Sequence, residues 1–186
     1  LSDLRAQTQS LIMTGRAELS PDGLPTLIDL SLDLSDPQGA PVVLPGTDGQ
    51  GQVQSADLVV SFDATQGPDW SVAGRLNGLN LPQIAVGQVV LDARGLLGTV
   101  AATAGAPVFD GTFEFAATGL AAADPALQQA LGDEVYGLLS LTAPGGGEPL
   151  QFTGISLEAR TLSLTGQGVL NGLTFDGFVE AEAPAL

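Results

Sequence analysis

The sequence predicts an all-β chain, a meander of antiparallel strands with a single short helix. Apolar residues recur at every second position in many short runs, which is the pattern of strands with one apolar and one polar face. Segments rich in Gly, Pro, Asn and Asp separate these runs at intervals of about 8–12 residues, as turns do in all-β folds. One segment instead combines helical apolar spacing with a cap at each end.

The chain is predicted to be one segment with three parts. Residues 1–35 hold the N-terminal strands, and the run LIDLSLDLS alternates Leu and Ile with Asp and Ser. Residues 36–52 contain three Pro and four Gly, so a loop is expected there. Residues 53–186 form the main β body, because five more alternating runs follow: ADLVVSFDA, DWSVAGRL, GQVVLDARG, TFEFAAT and YGLLSLTA.

The last stretch, residues 154–183, is predicted to contain three strands. Its apolar positions are odd-numbered, then even-numbered, then odd-numbered again, and each change of phase indicates a strand boundary. Turns are therefore expected near Thr161 and at Asn171-Gly172. The second turn lies in the sequence Leu-Asn-Gly-Leu, which also occurs at 76–79, and Asn-Gly between strands predicts a hairpin turn in both places.

The helix is predicted at 124–131. Asp124 is a good N-cap, Pro125 suits the first helical position and Gly132 is a candidate C-cap. The Ala and Leu residues between them form one apolar stripe. A helix of two turns is marginal alone, so it is expected to pack on the sheet or to plug one end of it.

Composition and charge exclude several classes of function. The 21 acidic residues face five Arg and no Lys, and the net charge of −16 leaves no basic patch for nucleic acid or an anionic membrane surface. Since 44% of the residues are apolar, the chain can bury surface and is expected to fold. No run of about 18 apolar residues predicts a transmembrane helix. The start of the chain has neither Met nor a signal peptide, so we interpret the chain as a piece of a longer protein.

Catalysis is not predicted, and neither a cofactor nor a metal site is expected. Without His, Cys or Lys, the chain has no catalytic triad, no thiolate and no Schiff-base amine. Paired carboxylates are the remaining option, as in glycoside hydrolysis. However, Asp29, Asp33, Asp57 and Asp63 alternate with apolar residues, so we interpret them as the solvated face of strands.

The apolar side of the predicted strands is built from Leu, Val, Ile, Ala and Phe. That chemistry is typical both of a lipid-sized groove and of an ordinary sandwich core, and the pattern alone slightly favours a closed sandwich or barrel. The alternative function on that interpretation is a β-sandwich or β-solenoid module of an acidic surface adhesin, with a filled core.

Several stretches resemble the TamB family of the AsmA-like superfamily, the inner-membrane and periplasmic component of the translocation and assembly module, especially its alphaproteobacterial members. They are ADLVVSFDATQGPDWSVAGRL, LDARGLLGTVAA, FDGTFEFAATGLAAADPALQQALGDEVYGLLSL and LEARTLSLTGQGVLNG. The best of them is GTFEFAATGLAAADPALQQALG, a strand followed by the short helix. The resemblance covers roughly residues 54–173.

This resemblance implies an internal periplasmic segment of a parent protein anchored in the inner membrane. The sheet is then expected to curl into a groove, apolar inside and polar outside. The implied role is non-enzymatic: phospholipid transport between inner and outer membrane, outer-membrane protein assembly, or both. Acyl chains or nascent outer-membrane strands would occupy the groove, and an Omp85-class outer-membrane partner would be reached through other parts of the parent. The expected groove lining includes Leu58, Val60, Phe62, Val72, Val89, Leu91, Phe113, Phe115, Leu139, Leu141, Ile155, Leu157, Leu162, Leu164, Phe175 and Val179.

Overall fold

The computed structural model describes residues 4–8, 10–44, 47, 49–100, 106–144, 148–172 and 174–183. These residues form one open, curled antiparallel sheet and one short helix, so the predicted all-β class is confirmed. The elements are β1 (Leu4–Gln7), β2 (Leu11–Leu19), β3 (Pro25–Ser35), β4 (Val42–Val43), β5 (Gln52–Val53), β6 (Ser55–Asp63), β7 (Asp69–Asn80), β8 (Ile84–Val100), β9 (Ala106–Ala122), α1 (Pro125–Leu131), β10 (Glu134–Ala143), β11 (Leu150–Glu158), β12 (Ser163–Asn171) and β13 (Thr174–Glu182).

The strand order follows the chain almost everywhere. It runs β1, β2, β3, then β6 through β13, and every neighbouring pair is antiparallel. The short strands β4 and β5 pair with each other beside this path, and β5 also meets β7 where Gln52 lies opposite Asn80. Because β3 pairs with β6 from Leu27 to Ser35, the N-terminal strands and the main body share one sheet.

The two sides of the sheet differ in exposure as the alternation predicts. In β3, Leu30 and Leu32 are half-buried, whereas Asp29 and Asp33 are exposed. The strands that the structure describes all belong to one sheet, so no second sheet closes the apolar side in that part of the chain. The described strands therefore do not form the closed sandwich or barrel that the residue pattern alone slightly favours.

The helix begins and ends as predicted. The Asp124 side chain accepts hydrogen bonds from the backbone N–H groups of Ala126 and Leu127, at 2.8 and 2.9 Å. Gly132 follows the last helical residue with a φ of 70°, a conformation that favours glycine. The backbone N–H of Gly132 donates to the Gln128 carbonyl at 2.9 Å, so both helix ends are satisfied within the chain.

The two Asn-Gly pairs lie in different local structures. Gly172, with a φ of 61°, follows the last residue of β12, and Asn171 pairs with Thr174, so the predicted hairpin turn there is confirmed. The prediction of a turn at Asn77-Gly78 is wrong, since both residues lie inside β7. Asn77 pairs with Gln88 and the next pair is Leu79 with Val86, so the ladder passes over Gly78 without a change of register. A glycine with positive φ serves either purpose, so the dipeptide alone does not distinguish them.

The last stretch forms three strands, as its changes of phase predict. Strand β11 ends at Glu158 and β12 begins at Ser163, which places the first turn around Thr161. β11 also begins earlier than expected, at Leu150, and its register with β12 shifts between Phe152 and Ile155. This irregularity lets an even-numbered and an odd-numbered apolar residue of one strand lie on the same face.

Candidate functional site

The apolar side of the sheet is continuous from β2 to β13. Antiparallel register partners lie side by side on the same face, so the pairing can be followed from strand to strand. Residues that follow one another in this way form a row across the sheet. A row across ten strands, spaced by about 4.8 Å, is about 43 Å long. One row runs through Met13, Leu32, Leu58, Gly74, Leu91, Phe115, Gly137, Leu157, Leu164 and Ala181. The next runs through Gly15, Leu30, Val60, Val72, Ala93, Phe113, Leu139, Ile155, Gly166 and Val179.

The register places the predicted lining residues on this one face. Leu162 differs from the others because it lies in the turn before β12, where it packs against the residues beneath the helix. The fifteen that lie in strands are Leu58, Val60, Phe62, Val72, Val89, Leu91, Phe113, Phe115, Leu139, Leu141, Ile155, Leu157, Leu164, Phe175 and Val179.

The exposure of these side chains is intermediate rather than core-like. Of the sixteen, Phe62 is buried, at 5% exposure, whereas Phe175 and Val179 on β13 are 41% and 53% exposed. The others are half-buried. A filled core would bury all sixteen side chains. In the described part of the chain, the side chains of this face pack against their neighbours on the same sheet, but no second layer of protein covers them.

An aromatic cluster closes one end of the face. The Trp70 ring stacks on Phe109 at a centroid distance of 4.8 Å and lies tilted against Phe113 at 5.7 Å. The indole N–H donates to the Asp110 carbonyl at 3.1 Å. Trp70 is only 8% exposed and packs with buried Phe62 and Ala93. We call Phe62, Trp70, Ala93, Phe109 and Phe113 the tryptophan cluster.

The helix closes the opposite end. Leu131 of α1 is buried against Val86, Ala117, Leu120 and Val135, and we call these five residues the helix cluster. Along β8, Val86 and Ala93 of the two clusters are seven residues apart, or about 23 Å. The open part of the face therefore lies between two closed ends.

Hydrogen bonds fix α1 in that position. The Gln128 side chain accepts from the Ala122 N–H at 2.6 Å and donates to the carbonyls of Leu120 and Gly132, at 3.3 and 3.0 Å. The turn before β12 supplies donors to the end of the helix, because the Thr161 N–H reaches the Ala130 carbonyl at 3.1 Å. The helix is thus tied to β9 on one side and to the β11–β12 turn on the other.

Large side chains lie flat on glycines of the neighbouring strand. A Cβ at Gly74 would collide with Leu58, and one at Gly137 would collide with Phe115. A Cβ at Gly111 would come within 2.6 Å of the Trp70 ring. These side chains lie parallel to the sheet rather than projecting from it. The surface of the apolar face is therefore flat where they lie.

The predicted lining omitted several residues that share the face. Met13 on β2 and Leu30 and Leu32 on β3 continue the rows of the apolar face. Their alternation with polar residues could have identified them as lining residues. Trp70 lies on the face as the register partner of Phe62. Phe152 was hidden by the irregularity in β11, which no local pattern reveals.

The other side of the sheet, which we call the outer face, is mostly polar and charged. Asp29 and Asp57 lie there, and Arg16 pairs with Asp29 at 3.4 Å. Arg94 pairs with Glu114 at 3.2 Å, with both side chains largely exposed. Exposed pairs of this kind contribute little to stability. Among the described residues, none of the buried side chains is polar or charged.

Two titrating groups show pKa shifts, half-buried Asp63 and exposed Tyr136. Hydrogen bonds from the Thr65 hydroxyl and backbone N–H lower the pKa of Asp63. The charge of Glu134, together with a hydrogen bond from the Tyr136 hydroxyl at 3.2 Å, raises the pKa of Tyr136. Within the described ranges, no three His, Cys, Asp or Glu side chains are grouped as metal ligands, and no helix has the length and apolar character to cross a membrane.

Comparisons with protein-family models, with curated proteins and with solved structures find no match for this chain. Its resemblance to the TamB family stays a prediction.

Proposed function

We propose that this chain is a non-enzymatic segment of a TamB-like periplasmic protein whose apolar face accommodates acyl chains. Its parent would be anchored in the inner membrane and would serve phospholipid transport between the two membranes, outer-membrane protein assembly, or both, with an Omp85-class partner. The observation that carries the proposal is the continuous apolar face of the sheet, half-buried and uncovered between its two closed ends.

The energetics of an acyl chain favour this surface. Each methylene removed from water contributes about 0.8 kcal/mol, and a chain lying along a row of the face would bury one side of many methylenes. Since Leu58, Phe115 and Trp70 lie over glycines of nearby strands, the surface is level at these positions. Such a surface selects for apolar length rather than for a particular head group.

The same face is poorly suited to a bare peptide strand. Its backbone N–H and C=O groups are used in the sheet ladder, so a peptide lying flat on it would desolvate its own backbone without hydrogen-bond partners. An acyl chain carries no such groups. A client strand would instead pair with an unpaired strand edge, so we assign acyl chains to the face.

The proposal is tested with two adjacent valines on opposite faces of β6. Val60 lies on the apolar face and is half-buried, whereas Val59 is 51% exposed on the outer face. Val60→Glu places a charge where the acyl chain would lie, and Val59→Glu adds the same charge to the same strand outside it. The purified chains are compared by native mass spectrometry for co-purified phospholipid and by titration with a fluorescent fatty acid.

We expect phospholipid to bind to the unsubstituted chain and to Val59→Glu, and most of this binding to be lost in Val60→Glu. Circular dichroism shows whether each variant keeps its strands, and Val60→Thr, which preserves shape, provides a milder second variant. Equal lipid binding by all folded variants, or no lipid binding by the unsubstituted chain, would contradict the proposal.

A further inference from the structure

An apolar depression lies among the polar residues of the outer face, on strands β8 to β10. Val90, Ala116 and Tyr136 are register partners on three successive strands, and Leu138 lies in the next row, beside Glu114. Val90 is 40% exposed, Tyr136 52% and Leu138 38%. Because Ala116 is small, the three larger side chains surround a depression of about 480 Å³ over it, which we call the Ala116 depression.

Carboxylates border this depression on two sides. Asp92 and Glu114 line it next to Leu138, and Glu158 lines it beyond Tyr136. Glu114 is paired with Arg94, whereas Asp92 and Glu158 belong to neither of the two ion pairs among the described residues. Arg75 lies next to Val90 in register, at the side of the depression opposite Glu158.

We propose that the Ala116 depression is a docking site for an Arg or Lys side chain of a partner protein. The aliphatic stem of such a side chain fits over Ala116 and Leu138, and its charged end reaches Glu158 or Asp92. The Tyr136 ring offers its face to the cation, and the hydrogen bond to Glu134 orients that ring. A surface leucine or valine alone carries no such charge preference.

Charge complementarity identifies the occupant as a basic partner rather than a second copy. The chain has a net charge of −16, so two copies repel each other. A basic segment of another protein is attracted by the whole outer face and is then held by apolar contact in the depression. This site is independent of the acyl chains proposed for the opposite face.

The probe is a fluorescently labelled peptide that alternates valine with arginine, compared with one that alternates valine with glutamate. Binding to the whole chain is followed by fluorescence anisotropy at low and at high salt. Ala116→Arg fills the depression with a tethered cation, and Ile12→Arg adds the same charge to the outer face of β2, away from it.

We expect the arginine peptide to bind, the glutamate peptide not to bind, and Ala116→Arg to weaken binding roughly tenfold. Ile12→Arg should change binding by less than about twofold. Equal weakening by the two variants would overturn the proposal, since it would show attraction to net charge only. Binding of both peptides, or of neither, would overturn it as well.

A second measurement does not depend on the Ala116 variant. The chain has a single tyrosine, so selective labelling gives NMR signals from Tyr136 alone. The arginine peptide should shift those ring signals in a saturable way. Unchanged Tyr136 signals under saturating peptide would place the binding elsewhere.

Discussion

Trp70 stacks on Phe109 across the intervening strand β8, with ring centroids 4.8 Å apart and ring planes inclined by 19°. The stack is accommodated because Gly95 and Gly111 follow Trp70 in register, and neither has a side chain in the way of the indole. Three strands are thereby joined by one side chain. This arrangement closes one end of the apolar face without a second layer of protein.

Gly111→Ala should disrupt this closure. The added methyl group would come within 2.6 Å of the Trp70 ring and 3.2 Å of Phe109, so the indole must move. Overpacking of this kind costs about 1–3 kcal/mol in the free energy of unfolding. Denaturant unfolding measures the loss, and the fluorescence of the single tryptophan should shift to longer wavelength. Gly98→Ala is the control, since its Cβ would meet no atom within 4 Å; similar behaviour of the two variants would argue against the mechanism.

Gln128→Ala should loosen the helix from the sheet. The substitution leaves the Ala122 N–H and the carbonyls of Leu120 and Gly132 without the side-chain partner they have now. We expect a loss of about 1–3 kcal/mol in denaturant unfolding, with faster hydrogen exchange in α1. The neighbouring Gln129 is exposed, so Gln129→Ala should have little effect. Ala is a better helix former than Gln, so helix propensity predicts no loss from either substitution, and equal losses from both would argue against a specific anchoring role for Gln128.

Gly78→Ala should test the left-handed backbone conformation inside β7. Gly78 has a φ of 64°, and a Cβ there would approach the Gln54 side chain to 2.8 Å. The left-handed conformation costs a residue with a Cβ about 1–2 kcal/mol, so the midpoint of thermal unfolding should fall. Gly154→Ala provides the comparison, because its Cβ would meet only Ser140 at ordinary distance. An unchanged midpoint for Gly78→Ala would show that β7 does not require a left-handed conformation at this position.

Glu134→Gln should lower the pKa of Tyr136 toward its usual value of 10.0, because the charge that raises it is removed. Absorbance of the single tyrosinate gives the titration directly. The folded chain binds this proton more tightly than the unfolded chain, so stability falls as the pH rises from 10.0 through the folded pKa. Glu134→Gln should narrow the pH range over which stability falls, because it brings the folded pKa of Tyr136 closer to the unfolded pKa. Glu180→Gln, on β13, should leave the tyrosine titration unchanged, and a shift of equal size there would point to a general charge effect.

The alternation of residues was sufficient to predict which side chains share a face. Fifteen of the sixteen predicted lining residues lie in strands on one side of the sheet, including those after the changes of phase. The helix caps at Asp124 and Gly132 were equally predictable. Both features depend on residues close together in the chain, since strand period and capping are local properties.

The fate of the two Asn-Gly pairs was decided by the tertiary structure. Gly172 lies in a turn and Gly78 lies inside a strand, although the flanking residues are the same. The difference lies in the partner strand, because β7 continues beyond Gly78 to pair with β8 up to Asn80. No sequence pattern within four residues carries that information.

By itself, then, the sequence determined the all-β class, the polarity of the two faces and the ends of the helix. The tertiary structure decided that the apolar face stays open, that Trp70 closes one end of it and that α1 closes the other. It also decided that Phe115 lies flat on Gly137. The physical reason is that exposure and closure depend on contacts between strands far apart in sequence, whereas alternation depends only on the strand's own backbone.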